Sequence, residues 1–177
     1  ARVYTATVAA ASAVKTYYFG SMRVAVRATG DDGRTTIVWL HSDGDNHRQL
    51  KRIMPLVSLR NYVAIAPRGA SCDFGDDSAA GWLQSEGEII DAQWRAAQSI
   101  EIAQSRCNIH AGRVFIGGYA EGGAMALRLA LRMPQLFAGV FSIGGPLPQG
   151  HAPLVNVQNA RGLAVMLAHG NASEQYS

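Results

Sequence analysis

Cysteine is nearly absent from this chain. Cys72 and Cys107 are the two cysteines in 177 residues. They are too few for a disulfide framework and lack the CxxC spacing of a zinc or redox site, so both read as reduced thiols, and no metal or other cofactor is expected. Charge is sparse as well, at 16% Asp, Glu, Lys and Arg. The 16 basic residues exceed the 13 acidic ones by three, yet they are scattered and form no stripe, which argues against a nucleic-acid partner. No apolar run reaches the roughly 20 residues that a spanning helix needs, and no low-complexity tract breaks the chain. A basic start leading into an apolar core, the mark of a secretory signal, is also missing, and a cytoplasmic location is expected. What remains is a chain with a 48% hydrophobic fraction, long enough for one domain with a sizeable core over residues 1–177.

Alternation in "YTATVAA" and again in "YYFGSMRVAVRAT" predicts antiparallel strands at the start, joined through the turn Gly30, Asp31, Asp32, Gly33 to the next strand. The pattern then changes to continuous apolar runs separated by helical periodicity. "TTIVWLH" and "NYVAIAPRG" read as buried strands, and "HRQLKRIMPLVSLR" between them has a helical look interrupted by Pro55. Ser85 followed by Glu88 fits a capping box. Behind it Ile89, Ala96, Ile100 and Ala103 fall on one helical face with Trp94 and Ala97 alongside, and the helix should end near Cys107 and Asn108. Next come a strand in "RVFIGG", a helix from about Glu121 to Arg132 stopped by Pro134, and a strand in "FAGVFSIGG". A Pro-rich loop to Gly150 follows, and then a strand in "GLAVMLAHG". Strands alternating with helices, each strand apolar on both faces, predict an α/β fold whose mostly parallel sheet carries helices on both sides.

The stretch "RVFIGGYAEGGAMALRLALRMP", residues 113 to 134, runs from an apolar burst through glycines straight into a helix. It lacks the Lys and Ser/Thr of a phosphate loop, and Ala120 stands where GxGxxG needs its second glycine. It does have the frame of GxSxG, a strand, sharp turn and helix that hold a nucleophile, with Gly118, Tyr119, Ala120, Glu121 and Gly122 in the five places. As structure alone, Gly118 and Gly122 permit close packing of helix on strand. Trp82 reads as packing beside a helix start.

Taken with "VWLHSDGDN", "AIAPRGA" and "LAVMLAHGNASEQ" in this order, the chain resembles the α/β-hydrolases of the phospholipase/carboxylesterase type over roughly residues 35 to 173. The resemblance implies a serine nucleophile, a histidine base, an acid that orients it, and two backbone N–H groups for the oxyanion. The nucleophile position is Ala120, whose methyl group cannot attack a carbonyl. The acid position is Ser173, with Glu174 beside it. The oxyanion donors would be the backbone N–H groups of Asp43 and Glu121, and Ser42 replaces the glycine of the family's HG pair. A carboxylate at either place would oppose an oxyanion in a poorly solvated pocket, whereas Glu121 read as structure is an acid favoured by the helix dipole. The family's histidine follows one more strand, and this sequence ends at Ser177 before it, so the C-terminal part of the fold is expected to be missing. His151 and His169 lie elsewhere.

Two functional readings follow. One is a catalytically inactive pseudo-esterase domain acting in binding, scaffolding or assembly, with a small acyl- or ester-like ligand as one possible occupant over Ala120. The other is a serine carboxylesterase or phospholipase-type hydrolase whose nucleophile was replaced by alanine. The strand in residues 163–168 is apolar on both faces and reads as an interior strand. Left uncovered it would be an edge, so it is expected to be completed either by residues beyond this sequence or by a partner subunit in a homo- or hetero-oligomer.

Overall fold

The computed structural model describes residues 3–5, 14–19, 22–27, 33–57, 62–71 and 80–170. Within them the elements run β1 (Val3–Thr5), β2 (Val14–Phe19), β3 (Met22–Arg27), β4 (Arg34–Leu40), α1 (Leu50–Val57), β5 (Tyr62–Ala66), β6 (Ala70–Ser71), β7 (Ala80–Gly81), α2 (Glu86–Arg106), β8 (Ile109–Tyr119), α3 (Glu121–Arg132), β9 (Gly139–Ile143) and β10 (Ala164–Ala168). Eight strands form one sheet in the order β1-β2-β3-β5-β4-β8-β9-β10, and β6 and β7 pair separately. From β5 through β4, β8 and β9 to β10 every neighbour is parallel, while β1, β2 and β3 add antiparallel.

The antiparallel start therefore exists, with one difference from the sequence reading. "YYFGSMRVAVRAT" divides into β2 and β3, and β3 pairs with β5, not with the strand that follows it in the chain. Both edges of β4 are taken by the parallel strands β5 and β8, which leaves β3 the outer edge of β5. Of the turn expected at Gly30 to Gly33, residues 30–32 lie outside the described residues, as does Cys72.

Two layers of apolar side chains sandwich the sheet. On one face Val38, Leu40, Ile65 and Ile116 meet Ile89, Ala96 and Ile100 of α2 and Met125 and Leu129 of α3. On the other, Trp39, Ala64 and Ala66 meet Leu50, Ile53 and Met54 of α1. Each fully buried Leu, Ile or Val contributes about 1.5–3 kcal/mol relative to exposure, so these layers fix which way each strand faces. The α2 cap forms as expected, with the Ser85 hydroxyl accepting from the Glu88 N–H at 3.4 Å. Trp94 departs from expectation: it is 59% exposed, because Ala92 and Ser99 complete the buried face instead. Pro55 does not interrupt α1, which continues two residues further to Val57. Pro55 sits in the last turn, where little helix remains to be broken. No helix among the described residues is long and apolar enough to cross a membrane.

Candidate functional site

The turn between β8 and α3 holds the central residue. Ala120 has φ 51° and ψ −123°, a combination that L-residues rarely adopt. Its N–H donates to Ile143 O at 2.9 Å, and its carbonyl accepts the first helical bond from Ala124 N at 3.1 Å. Close packing explains the glycines on either side. A Cβ on Gly122 would lie 2.3 Å from His41 O and 2.4 Å from Leu40 O, and one on Gly118 would lie 2.5 Å from the Gly122 backbone. The first turn of α3 is thus seated directly on the end of β4. Gly145 seals the turn from a third side, since a Cβ there would meet Ala120 O at 2.5 Å.

The loop that leaves β4 at His41 is held at almost every residue. Gly69 N–H donates to His41 Nε2 at 3.0 Å, so Nδ1 carries the hydrogen and donates to Ser42 O at 2.8 Å. Burial pushes the His41 pKa below its ordinary value, which agrees with this neutral tautomer. The Trp82 ring lies 5.2 Å from the His41 ring, tilted by 43°, and Trp82 donates its indole N–H to His41 O at 2.8 Å, while its backbone N–H donates to Asp43 Oδ1 at 2.8 Å. From the other side the buried Trp39 indole donates to Gln49 Oε1 at 2.7 Å. The amide of Gln49 in turn donates to Ser42 Oγ at 3.0 Å and to Asp45 Oδ2 at 3.2 Å. Arg52 forms an ion pair with the same Asp45 carboxylate. A loop fixed by this many partners presents its remaining backbone groups in one orientation, the preorganisation that a carbonyl-binding site needs.

These features lie at the carboxyl ends of parallel strands, where open α/β sheets bind their ligands. A family model described as Phospholipase/Carboxylesterase matches residues 22–176. The chain belongs to the phospholipase/carboxylesterase family. A curated relative, "Putative esterase NocK" of Nocardia uniformis subsp. tsuyamanensis, is 29% identical over 148 residues, which are 80% of this chain and 40% of that protein. The chain thus spans less than half of that relative's length. Among solved structures, an S-formylglutathione hydrolase from Agrobacterium tumefaciens is similar at TM-score 0.65 and 13% identity over 97% of this chain and 80% of that one. Zea mays acyl-protein thioesterase 2 is similar at 0.60 and 19% over 90% and 93%. At such identities the likeness establishes the α/β-hydrolase fold.

The phospholipase/carboxylesterase fold packs Gly118 and Gly122 against the end of β4, from which the loop carrying Asp43 departs, and ties the Ala120 N–H to the end of β9. Asp43 and Glu121 are both exposed. One Asp43 carboxylate oxygen is nevertheless engaged, accepting from the Trp82 N–H. Ser173 and Glu174 lie outside the described residues. His151 is held at the start of α2, its Nδ1 3.5 Å from Glu86 Oε2. A shallow surface recess beside Trp82, Leu83, Asp91 and Arg95 does not include Ala120.

Sequence reasoning missed Gln49 and Arg128. Arg128 is buried in α3 and donates to Gln84 Oε1 at 2.8 Å, Gly150 O at 3.0 Å and Gln149 O at 2.6 Å, clamping the end of the loop that begins against Ala120. An arginine within "ALRLALR" carries no local signal of this, since its acceptors are 21 or more residues away.

Proposed function

We propose that this chain is a pseudo-esterase domain, an α/β-hydrolase-like unit that binds or assembles without hydrolysing esters. The observation that carries the reading is the methyl group of Ala120 at the tip of the strained turn, the position that the family resemblance assigns to the nucleophile. A small acyl or ester-like ligand fits this reading, its carbonyl oxygen accepting from the backbone N–H groups of Asp43 and Glu121. Without a hydroxyl or thiol at position 120, such a ligand has no nucleophile to form an acyl intermediate, and oxyanion donors alone give only residual acceleration.

The test is hydrolysis of 4-nitrophenyl acetate and butyrate by the purified chain, with and without a fluorophosphonate. The expected rate is that of buffer plus a small, phosphonate-insensitive increment. Turnover abolished by the phosphonate would overturn the reading.

A second reading, an esterase whose nucleophile was replaced by alanine, is favoured by one observation: the strained backbone and the glycines packed around it persist although an alanine uses neither. Ala120→Ser separates the two. With serine also at position 173, the new hydroxyl is expected to stay inactive, and a rate typical of serine esterases in that single variant would favour the second reading.

A further inference from the structure

The loop that carries Asp43 contains a tight turn whose two ends meet on one side chain. Asp45 N–H donates to Ser42 O at 3.2 Å, and Gly44 has φ 74°. A bond from residue i+3 to residue i, with positive φ at i+2, is the pattern of a type II turn, which makes Asp43 residue i+1. Its N–H takes no part in the turn's own hydrogen bond. That N–H shares a planar trans peptide with Ser42 O and points the opposite way. Ser42 O is fixed twice, by Asp45 N–H and by His41 Nδ1–H at 2.8 Å. The Asp43 N–H is therefore directed away from both, and its aim depends on the turn keeping this shape.

Gln49, buried just before α1, is bonded to both ends of that turn. Its Oε1 accepts from the buried Trp39 indole N–H at 2.7 Å, and an indole can only donate, so the carboxamide cannot be reversed. Nε2 must then face the loop, where its two hydrogens go to Ser42 Oγ at 3.0 Å and Asp45 Oδ2 at 3.2 Å. These are residues i and i+3. Asp45 is itself held, since its Oδ1 accepts from Asn46 N–H at 2.8 Å and its Oδ2 pairs with Arg52. Through Trp39 the same carboxamide is anchored on β4, so the turn is tied to a strand flanked on both edges. Ser42 stands at the glycine of the family's HG pair, and a glycine would offer Gln49 no hydroxyl.

We propose that Gln49 is a positioning residue, clipping Ser42 to Asp45 so that the Asp43 N–H keeps the direction in which a ligand's carbonyl oxygen meets it. The use of that N–H rests on the ligand reading above, whereas the clip itself is measured without a ligand. Relaxation dispersion on the 177-residue chain should find the amides of Asp43, Gly44 and Asp45 free of millisecond exchange. Gln49→Met keeps a similar side-chain length but removes every bond of the clip, and exchange should appear at all three amides. It also leaves the buried Trp39 indole N–H without its partner, so Ser42→Ala serves as a second variant that keeps that bond. There the same amides should exchange while the Trp39 indole resonance stays in place. A residue that only seated α1 on the sheet would, when lost, move the indole resonance and Tm and leave the turn rigid. A turn that stays rigid in Ser42→Ala would therefore overturn the proposal. N-butylbutyramide, a neutral carbonyl compound stable to hydrolysis, links the turn to binding. A turn in the binding arrangement for about a tenth of the time weakens apparent affinity about tenfold, so the Kd of this probe should rise by about that factor in either variant. Equal affinity in parent and variants would also overturn the positioning role. If the parent binds no amide at all, the ligand reading fails, and the clip stands or falls on the dispersion result alone.

Discussion

At Ala120 the side chain and the backbone disagree. A φ of 51° with ψ −123° costs an L-residue on the order of 1–3 kcal/mol, and glycine adopts it without strain. Ala120→Gly should therefore stabilise the chain by about 1 kcal/mol after the extra unfolded-state entropy of glycine is deducted, raising Tm by about 2–4 °C. Urea and thermal unfolding check this, and a loss of stability would mean that the turn is relaxed. His41 makes a second prediction. Its folded pKa lies below the unfolded value of about 6.5 because burial disfavours the imidazolium. Below pH 6.5 the unfolded chain binds a proton that the folded chain does not. The contribution of His41 is thus complete above pH 6.5 and is lost as pH falls toward the folded value. Unfolding free energy should decline between pH 7 and 5 with a slope of up to about 1.4 kcal/mol per pH unit from this group. A slope left unchanged by His41→Asn would contradict the assignment.

At the scale of elements, α3 is the unit on which the site depends. Nine of its twelve residues, Gly122 to Ala130, are buried, and its first turn touches β4 while Arg128 fastens the loop ending at Gly150. Arginine suits this task because its fixed fork reaches three acceptors at once, which lysine cannot do. Arg128→Lys should cost about 2–3 kcal/mol, the loss of charge-assisted hydrogen bonds with carbonyls left unpaired. Limited proteolysis should then cut the segment 144–150 faster than in the parent chain, and unchanged cleavage would show that the clamp is idle. The half-exposed β10 contrasts with the largely buried β4 and β5. All three read as interior strands, and among the described residues β4 and β5 are flanked by strands on both edges while β10 is paired to β9 alone.

Across the whole molecule, order should follow position in the sheet. β5 and β4 are the two central strands of the eight, joined in parallel register and mostly buried, so their amides should exchange only through global unfolding. Native-state exchange should give these strands the full unfolding free energy, on the order of 5–15 kcal/mol, with smaller values toward the sheet edges. Faster exchange in β4 than in β9 would show that the sheet does not unfold as one unit. The Ala120 turn sits at the end of β8, which lies between β4 and β9. The strain there is therefore held by the entire sheet and not by the turn itself.

Local features were legible in the sequence because their causes are local. Ser85 caps α2 through a residue three positions away, Pro134 follows the end of α3, and glycines at 118 and 122 announce a close approach whatever they approach. The family resemblance placed the strained turn at Ala120 in the same way, since the pattern and the torsion belong to one five-residue stretch. Tertiary structure alone decided the neighbours. Which strand lies beside β3, why Trp94 faces solvent, where the guanidinium of Arg128 goes and why His41 is neutral all depend on residues distant in the chain. Periodicity records that a side chain is to be buried, and the partner that buries it is chosen only when the sheet assembles.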